Sequence, residues 1–424
     1  MILSLLLSLF LQSPSPVEQQ PLPNIVVIVL DDVGFTDINN IPDLPNLQKL
    51  ASLGVVFNRF YGSPTCSPAR ECLMFGKYGV AAGNMCNGPL PETPDVNQFS
   101  LFKAVKERGY TTFFGGKWHL GTNNLGAPWE QTTNFYGIDR TIGLPQNISD
   151  ACDVVPVGDY DHWVRFDGST HFLETRYNTK LIRNQFMIWW NQTTGPKFAY
   201  VAFTAPHAPF HIPPSELVPN PPDPAGLSTN RWMYEQMTQS VDTVIGQLLQ
   251  VLDASNTYVI IVGDNGTPPN AVAPGQPGNK VKTTTFEGGI RIPCIIVGPN
   301  IMPGVSESLT GLVDILPTIA DMVGNTVPPD LDGMSLLPVL NDPAFVIHDH
   351  IFASDKEMNG ILLLRDRAVV QERYKLRLSS RNGEQFFDLL SDPMENTPLS
   401  PSLIDPMIVQ SLRDEMIIYT SRGL

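Results

Sequence analysis

Basic residues are scarce in this chain of 424 residues: Lys and Arg number 27 against 42 Asp and Glu, a formal net charge of −15. No basic stripe is available to displace the counterions of a phosphate backbone, which argues against nucleic acid as a partner. The deficit also sits awkwardly with an anionic small substrate, but exposed charges are screened beyond about 8 Å at physiological salt, so the local site decides. Long hydrophobic runs are missing too. The apolar stretch from Ile2 to Leu11 falls well short of the roughly 20 residues that a membrane span needs. Its length suits the core of a signal peptide, followed by small and polar residues, although the usual basic residue ahead of the core is absent. Residues 1–18 are read as that peptide, which implies a secreted or periplasmic protein. Cysteine is sparse and odd in number: Cys66, Cys72, Cys86, Cys152 and Cys294. At least one thiol is therefore unpaired in an exported chain; Cys86 with Cys152 is one candidate bridge, and spacing does not fix connectivity. Charged residues make up only 16 % and apolar residues 42 %, a balance that excludes a disordered chain and provides for a sizeable core. No internal repeat or low-complexity tract is present.

What is present is an alternation of strand and helix patterns. "NIVVIVLDD" (Asn24 to Asp32) is a continuous apolar run ending in two acids, the pattern of a buried, parallel strand. "PNLQKLASLG" places Leu47, Leu50 and Leu53 on one helical face, with Gly54 as its stop. "VVFNRFY" reads as a strand, "FKAVKERG" as a helix ended by Gly109, and "YTTFFGG" and "FAYVAFTAP" as further strands. "WMYEQMTQSVDTVIGQLLQVLD" has apolar residues at helical spacing for about six turns, and "TYVIIVGDN" and "IPCIIVGP" are strands again. The proline-rich "HIPPSELVPNPPDPAG" reads as a loop on the surface or over the site. This order predicts an α/β fold: a large mixed, mostly parallel sheet sandwiched by helices, with ligands beyond the C-terminal ends of the strands. From Asp342 onward "HIFASD", "ILLLRD", "AVVQERYKLRLSS" and "QFFDLL" predict a small antiparallel sheet. The mature chain thus divides into residues 22–341, which carry the chemistry, and a C-terminal α+β subdomain at 342–424.

Asp31 and Asp32 follow one predicted strand, Asp264 and Asn265 another. Carboxylates gathered at one sheet edge repel: at about 4 Å and an effective dielectric near 20, each pair costs roughly 4 kcal/mol. A divalent cation removes that cost, and an all-oxygen donor set favours Ca²⁺ or Mg²⁺ over zinc. Taken alone, an Asp at a strand end is as readily a turn or cap residue. Lys117 and His119 in "GGKWHLG" share a face if the segment is extended. His207 sits between prolines in "APHAP", and Lys280 and Lys282 precede a Gly-Gly turn in "NKVKTTTFEGGIRIP". Singly, each cation reads as an ordinary surface residue; their weight lies in converging with the acids. Cys66, in "SPTCSPAR", has no second cysteine upstream at metal or redox spacing. Its spacing to Arg70 is too short for a cysteine phosphatase, and no local signature supports a cysteine protease.

The run C-S-P-A-R at Cys66–Arg70, followed by "ECLMFG", resembles the formylglycine signature of the sulfatase family. The blocks "VVIVLDDVGFTD", "PNLQKLASLGVVFNRFY", "GYTTFFGGKWHLG", "FTAPHAPF", "VGDNG", "KTTTFEGGIRIP", "LVDILPTIADMVG", "LDGMSLLPVL" and "FFDLLSDPMEN" match the family in family order, over about Pro23 to Leu399. The resemblance implies an alkaline-phosphatase-like fold and a sulfuric ester hydrolase acting on an aryl or carbohydrate sulfate, whether a sulfated small molecule or a sulfated glycan. It also implies that a separate formylglycine-generating enzyme oxidises Cys66. Asp31, Asp32, Asp264 and Asn265, with an oxygen of modified Cys66, would bind one Ca²⁺. Arg70 would hold the formylglycine, and Lys117 and Lys282 would clamp sulfate oxygens, Lys282 being preferred to Lys280 on its spacing to Glu287. A hydrated aldehyde offers two hydroxyls on one carbon: one attacks sulfur, and the other loses its proton as sulfate leaves. His119 would take that proton, and His207, also a substrate contact, would protonate the leaving oxygen. Phe75 stands where the family usually has Thr or Arg, and Ala69 where Ser is more frequent. Two other classes compete: a phosphonate or phosphate monoester hydrolase of the same superfamily, and an inactive secreted binding protein, against which every site position is filled. For substrate selection, "DYDHWVRFDGSTHF" offers His162, Trp163, Arg165 and His171, which suit a sulfated sugar or aryl ring, or ordinary loop packing.

Overall fold

The computed structural model describes residues 21–78, 98–120, 136–148, 158–168, 170–219, 221, 224, 226–359 and 362–421. The signal-peptide reading at 1–18 and the Cys86–Cys152 pairing lie outside these residues. In chain order the strands are β1 (Asn24–Leu30), β2 (Val55–Phe57), β3 (Phe60–Tyr61), β4 (Thr111–Lys117), β5 (Arg140–Leu144), β6 (Trp163–Phe166), β7 (His171–Glu174), β8 (Lys197–Phe203), β9 (Thr257–Gly263), β10 (Cys294–Val297), β11 (Gly304–Ser306), β12 (Thr310–Gly311), β13 (His350–Asn359), β14 (Leu362–Gln371), β15 (Tyr374–Ser379) and β16 (Gly383–Asp388). The helices are α1 (Phe35–Asn40), α2 (Pro45–Leu53), α3 (Cys66–Phe75), α4 (Leu101–Lys106), α5 (Asn178–Gln192), α6 (Thr229–Leu249), α7 (Glu287–Ile290), α8 (Ile315–Met322), α9 (Leu337–Asn341) and α10 (Pro406–Ser421).

β1 is buried at every position. Its two faces serve two cores: Ile25, Val27 and Val29 pack with Leu73, Phe102 and Leu316, while Val26, Ile28 and Leu30 pack with Leu47, Phe186 and Val244. A strand covered by helices on both faces can be apolar throughout, which is why no alternation shows in its sequence. β1 pairs in parallel with β8 and β9, inside a ten-stranded sheet of order β11-β2-β10-β9-β1-β8-β4-β5-β6-β7. The mixed, mostly parallel sheet between helices is as expected. β10 runs antiparallel to both β9 and β2.

Three local readings are corrected. "VVFNRFY" is two short strands, because the chain leaves β10 and β11 after Phe57 and pairs Phe60–Tyr61 with β12 instead. Leu53 is 54 % exposed while Leu47 and Leu50 are buried. Successive steps of three residues drift by about 60° around a helix of 3.6 residues per turn, so the third leucine leaves the buried face. In the C-terminal sheet, of order β13-β14-β15-β16, the turn falls within "AVVQERYKLRLSS" at Glu372, whose φ is +49°, and Leu362 to Asp366 are continuous with the strand before that turn.

The small sheet is bound to the large one on one face and to α10 on the other. Ile351, Ala353, Ala368 and Val370 join the core under the large sheet, while Val369, Leu376 and Phe386 pack with Leu412 and Met416 of α10. A buried ion cluster reinforces the junction: Lys375 Nζ lies 3.1 Å from Glu287 and 3.0 Å from Glu395. Among the described residues no helix is long and apolar enough to cross a membrane.

Candidate active site

The sheet register builds the site. Leu30 of β1 sits opposite Gly263 of β9, so the residues that follow, Asp31 and Asp264, emerge side by side. The chain turns at Asp32, with φ +69°, and its N–H donates to Asp264 Oδ1 at 3.0 Å. Asn265 donates from its own N–H to the same oxygen at 2.8 Å and from Nδ2 to Asp32 Oδ1 at 2.8 Å.

α3 delivers the cysteine. All ten of its residues are buried, and it ends on Gly76 in the left-handed region, whose N–H caps Cys72 O. Cys66 and Arg70 are one turn apart on one helix face. Cys66 Sγ lies 3.6 Å from Asp31 Oδ1 and 3.7 Å from Asp32 Oδ1. Burial pushes its thiol well above the ordinary range; Lys117 and Lys282 oppose this, and Asp264 and Asp31 add to it. A thiol so held is a poor source of thiolate. Arg70 makes a two-pronged contact with Asp264 Oδ2 (3.1 and 2.9 Å), donates to Lys117 O at 2.7 Å, and lies 3.5 Å from Asp31.

The predicted lysines close the cluster. Lys117, the last residue of β4, donates to Asp31 Oδ2 at 2.7 Å. Lys282 donates to Asp32 Oδ1 at 2.5 Å. Its loop is pinned by Lys282 N to Thr267 O (3.0 Å) and Thr283 N to Pro64 O (2.8 Å). Lys280 points elsewhere, into the carbonyls of Met394 and Glu395 and over the Phe286 ring. Burial pushes Asp31 and Asp32 up, but Lys117, His207 and Arg70 around the first, and Lys282 and His207 around the second, hold both below the usual carboxylate range.

Both histidines arrive. His207 Nε2 is 3.7 Å from Asp32 Oδ2, and its Nδ1 donates to the Ala208 carbonyl at 2.8 Å, which fixes the tautomer. His119 reaches the site by a left-handed turn at φ +58°, not by extending the strand as the shared-face argument had it; Trp118 between them is buried in the core. Its Nδ1 is buried without a hydrogen-bond partner among the described residues. Burial, then Lys117 and Arg70, hold His119 well below its ordinary value, which keeps the ring neutral.

Sequence reasoning missed the support behind Asp32. Arg231 donates to Asp37 Oδ1 (2.6 Å) and Glu235 (2.7 Å), and the Tyr234 hydroxyl lies 2.9 Å from both Asp37 and the Asp32 carbonyl. Thr267 donates to Asp37 Oδ2 at 2.6 Å. The signal was the Arg231/Glu235 pair, one turn apart with Trp232, Met233 and Tyr234 between them. Of the proposed specificity residues, Trp163 is fully buried and donates to Arg176 O at 3.0 Å, and Arg165 pairs with Glu174 at 3.1 Å over the Phe172 ring. His162 stays exposed beside Asp159, and His171 packs on Phe166.

The oxygen donors fit a hard divalent ion: Asp31 and Asp32 each bring a ligand oxygen within 4.8 Å of one another and of position 66, and Asn265 Oδ1 is buried without a hydrogen-bond partner among the described residues. Carboxylates beside lysines and an arginine, at strand C-terminal ends, are the arrangement that metal-assisted hydrolysis of an oxyanion ester would need. Comparison with known proteins narrows this. The family model described as Sulfatase matches residues 23–325. Mouse arylsulfatase G is 28 % identical over 392 residues, covering 78 % of this chain and 71 % of its own. Human N-acetylgalactosamine-6-sulfatase is 30 % identical over 362 residues, covering 75 % and 66 %. The fold matches Ps i-CgsB bound to k-i-k-neocarrahexaose (TM-score 0.80, 24 % identity, 95 % and 93 % covered). It also matches BT4656 bound to D-glucosamine-2-N,6-O-disulfate (0.76, 19 %, 95 % and 98 %). The chain belongs to the sulfatase family and is a sulfuric ester hydrolase.

Proposed function

We propose that this protein hydrolyses a carbohydrate or aryl sulfate ester, with Cys66 as the precursor of formylglycine and Asp31, Asp32, Asp264 and Asn265 as the Ca²⁺ ligands. The observation that carries the reading is the buried convergence of Cys66 with Asp31 and Asp32, ringed by Lys117, Lys282 and Arg70. When formed, the aldehyde supplies as its hydrate a hydroxyl nucleophile and a route to expel sulfate. Ca²⁺ held there would supply positive charge to the sulfate.

The chain's own residues do the rest. Lys117 and Lys282, which hold Asp31 and Asp32 in this structure, would clamp sulfate oxygens where a cation takes over those carboxylates. Arg70 is locked by Asp264 and the Lys117 carbonyl and orients position 66. Neutral His119 accepts the proton released as sulfate departs. With Nδ1–H committed to Ala208 O, His207 would act as the acid from its imidazolium form, whose second proton sits on Nε2. A net charge of −15 is no obstacle, since three cationic side chains lie within this pocket. The relatives named for sulfated sugars favour a glycan or its fragments as substrate. Residues 22–341 would form the catalytic unit and 342–424 its accessory subdomain, in a protein exported by residues 1–18 and matured by a formylglycine-generating enzyme.

Mass spectrometry of the Cys66 peptide from the native host tests the chemistry: the aldehyde mass is expected, and an unmodified thiol throughout would refute it. Cys66→Ala should abolish turnover in a folded protein. Matched sulfate and phosphate monoesters test the substrate class; a preference for phosphate would overturn it.

A further inference from the structure

His207 is carried on a loop, four residues beyond the end of β8, yet its neighbourhood is unusually tied down. Three consecutive carbonyls, those of His207, Ala208 and Pro209, are each held by an aromatic or imidazole side chain. Tyr160 donates its hydroxyl to His207 O at 2.8 Å, His207 Nδ1 donates to Ala208 O at 2.8 Å, and His211 Nδ1 donates to Pro209 O at 3.0 Å. The His207 N–H is also held, by Thr204 O at 2.9 Å. Tyr160 is itself clamped. It is 2 % exposed, its ring lies 4.4 Å from that of His211 and stacks on Tyr177 at 5.8 Å, and its carbonyl receives the Asn178 N–H at 2.8 Å. His211 Nε2 and the Tyr177 hydroxyl, 2.8 Å apart, close the frame.

We propose that Tyr160 is a positioning residue for His207: its hydroxyl fixes the loop backbone so that Nε2 stays aimed at the leaving oxygen. The inference rests on the reading above, in which His207 protonates that oxygen. The step it governs is one proton transfer. As the bond from sulfur to the ester oxygen breaks, its electron pair stays on that oxygen, which takes the Nε2 proton of the His207 imidazolium. His207 is left neutral with its remaining proton on Nδ1, the tautomer that Ala208 O already holds. Such a transfer demands distance and angle to within a fraction of an ångström, which a free loop does not supply. The need for it grows as the leaving alcohol becomes less acidic. Tyr160 therefore matters most for alkyl and sugar sulfates and least for an activated aryl sulfate.

The test compares kcat/KM of the matured wild type, Tyr160→Phe and His207→Ala on para-nitrophenyl, phenyl and alkyl sulfates. Phe keeps the ring stacking and removes only the donor. Tyr160→Phe should lose roughly tenfold on the alkyl ester and several-fold less on the nitrophenyl ester, in kcat and not in KM, because general acid help matters only for poor leaving groups. In the double variant the Tyr160 effect should vanish. A loss that is equal for every leaving group, or no loss at all, while His207→Ala stays graded would overturn the inference alone. A His207→Ala loss that is itself ungraded would remove the acid role of His207, and the inference with it.

Discussion

At the scale of single residues, the site is decided by which way a side chain turns. Lys280 and Lys282 are two apart and chemically identical, yet only Lys282 reaches Asp32. Lys282→Ala should therefore lower kcat/KM for a sulfate ester by roughly 10²-fold or more, the scale of losing a charge-stabilising donor. Lys280→Ala should change it little, since that ammonium caps backbone carbonyls of the 394–396 turn. Steady-state kinetics on the two variants separates them, and equal losses would contradict the assignment. Asp264 carries a different burden: both its oxygens are occupied, one by Arg70 and the other by two backbone N–H groups. Asp264→Ala leaves Arg70 buried with a weaker partner, Asp31 at 3.5 Å. Stability is expected to fall by about 3 kcal/mol, as when a buried pair is broken from one side, and on the proposed ligand set the free Ca²⁺ needed for half-maximal rate should rise. Denaturant melts and activity against free Ca²⁺ measure the two effects.

At the scale of elements, α3 places Cys66 and Arg70 on one face and buries every other position, so its local rigidity follows from packing on both sides. The lysine loop has no such helix beneath it. Besides its bonds to Thr267 and Pro64, it is held from the C-terminal sheet, where Arg377 donates to Thr285 Oγ1 at 3.0 Å and Lys375 bridges Glu287 and Glu395. Lys375 is fully buried, so Lys375→Met would leave two carboxylates facing each other in the interior. We expect a loss of about 3–5 kcal/mol in unfolding free energy, with the rate reduced through Lys282 before global melting; a variant as stable and active as the parent would show that the junction is held by apolar packing alone.

At the scale of the whole molecule, His348 joins the segment entering the small sheet to the start of α8. Its Nε2 lies 2.8 Å from Asp314 Oδ1, and Asp314 is fully buried. Burial pushes His348 down, but the hydrogen bond and charge of Asp314, helped by Asp349, outweigh it and leave its pKa above the ordinary 6.5. A pKa raised by folding means the charged pair stabilises fully below that value and fades as pH rises through the folded one. His348→Gln should therefore lower the melting temperature most in mildly acid buffer and least in alkaline buffer; a pH-independent loss would mean the ring acts only by packing.

Much of this was legible in the linear chain. Apolar runs such as Asn24–Leu30 announce a strand buried on two faces, because burial on both sides requires apolar residues throughout. The polar residues at strand ends announce the site, since the C-terminal edge of an open α/β sheet is where ligands meet the chain. The order of the blocks around Cys66 carried the chemistry. The tertiary structure alone decided the rest: the register that sets Asp31 against Asp264, the inward turn of Lys282 and outward turn of Lys280, and the left-handed step that brings in His119. It also decided the burial of Trp163, whose segment read equally as a substrate contact or as ordinary loop packing, and the grip of Tyr160 on His207. For the residues beyond the strand ends the physical reason is shared. Periodicity encodes which face of a regular element is buried, whereas the direction of a side chain beyond the end of an element is set by hydrogen bonds to residues tens to hundreds of positions away.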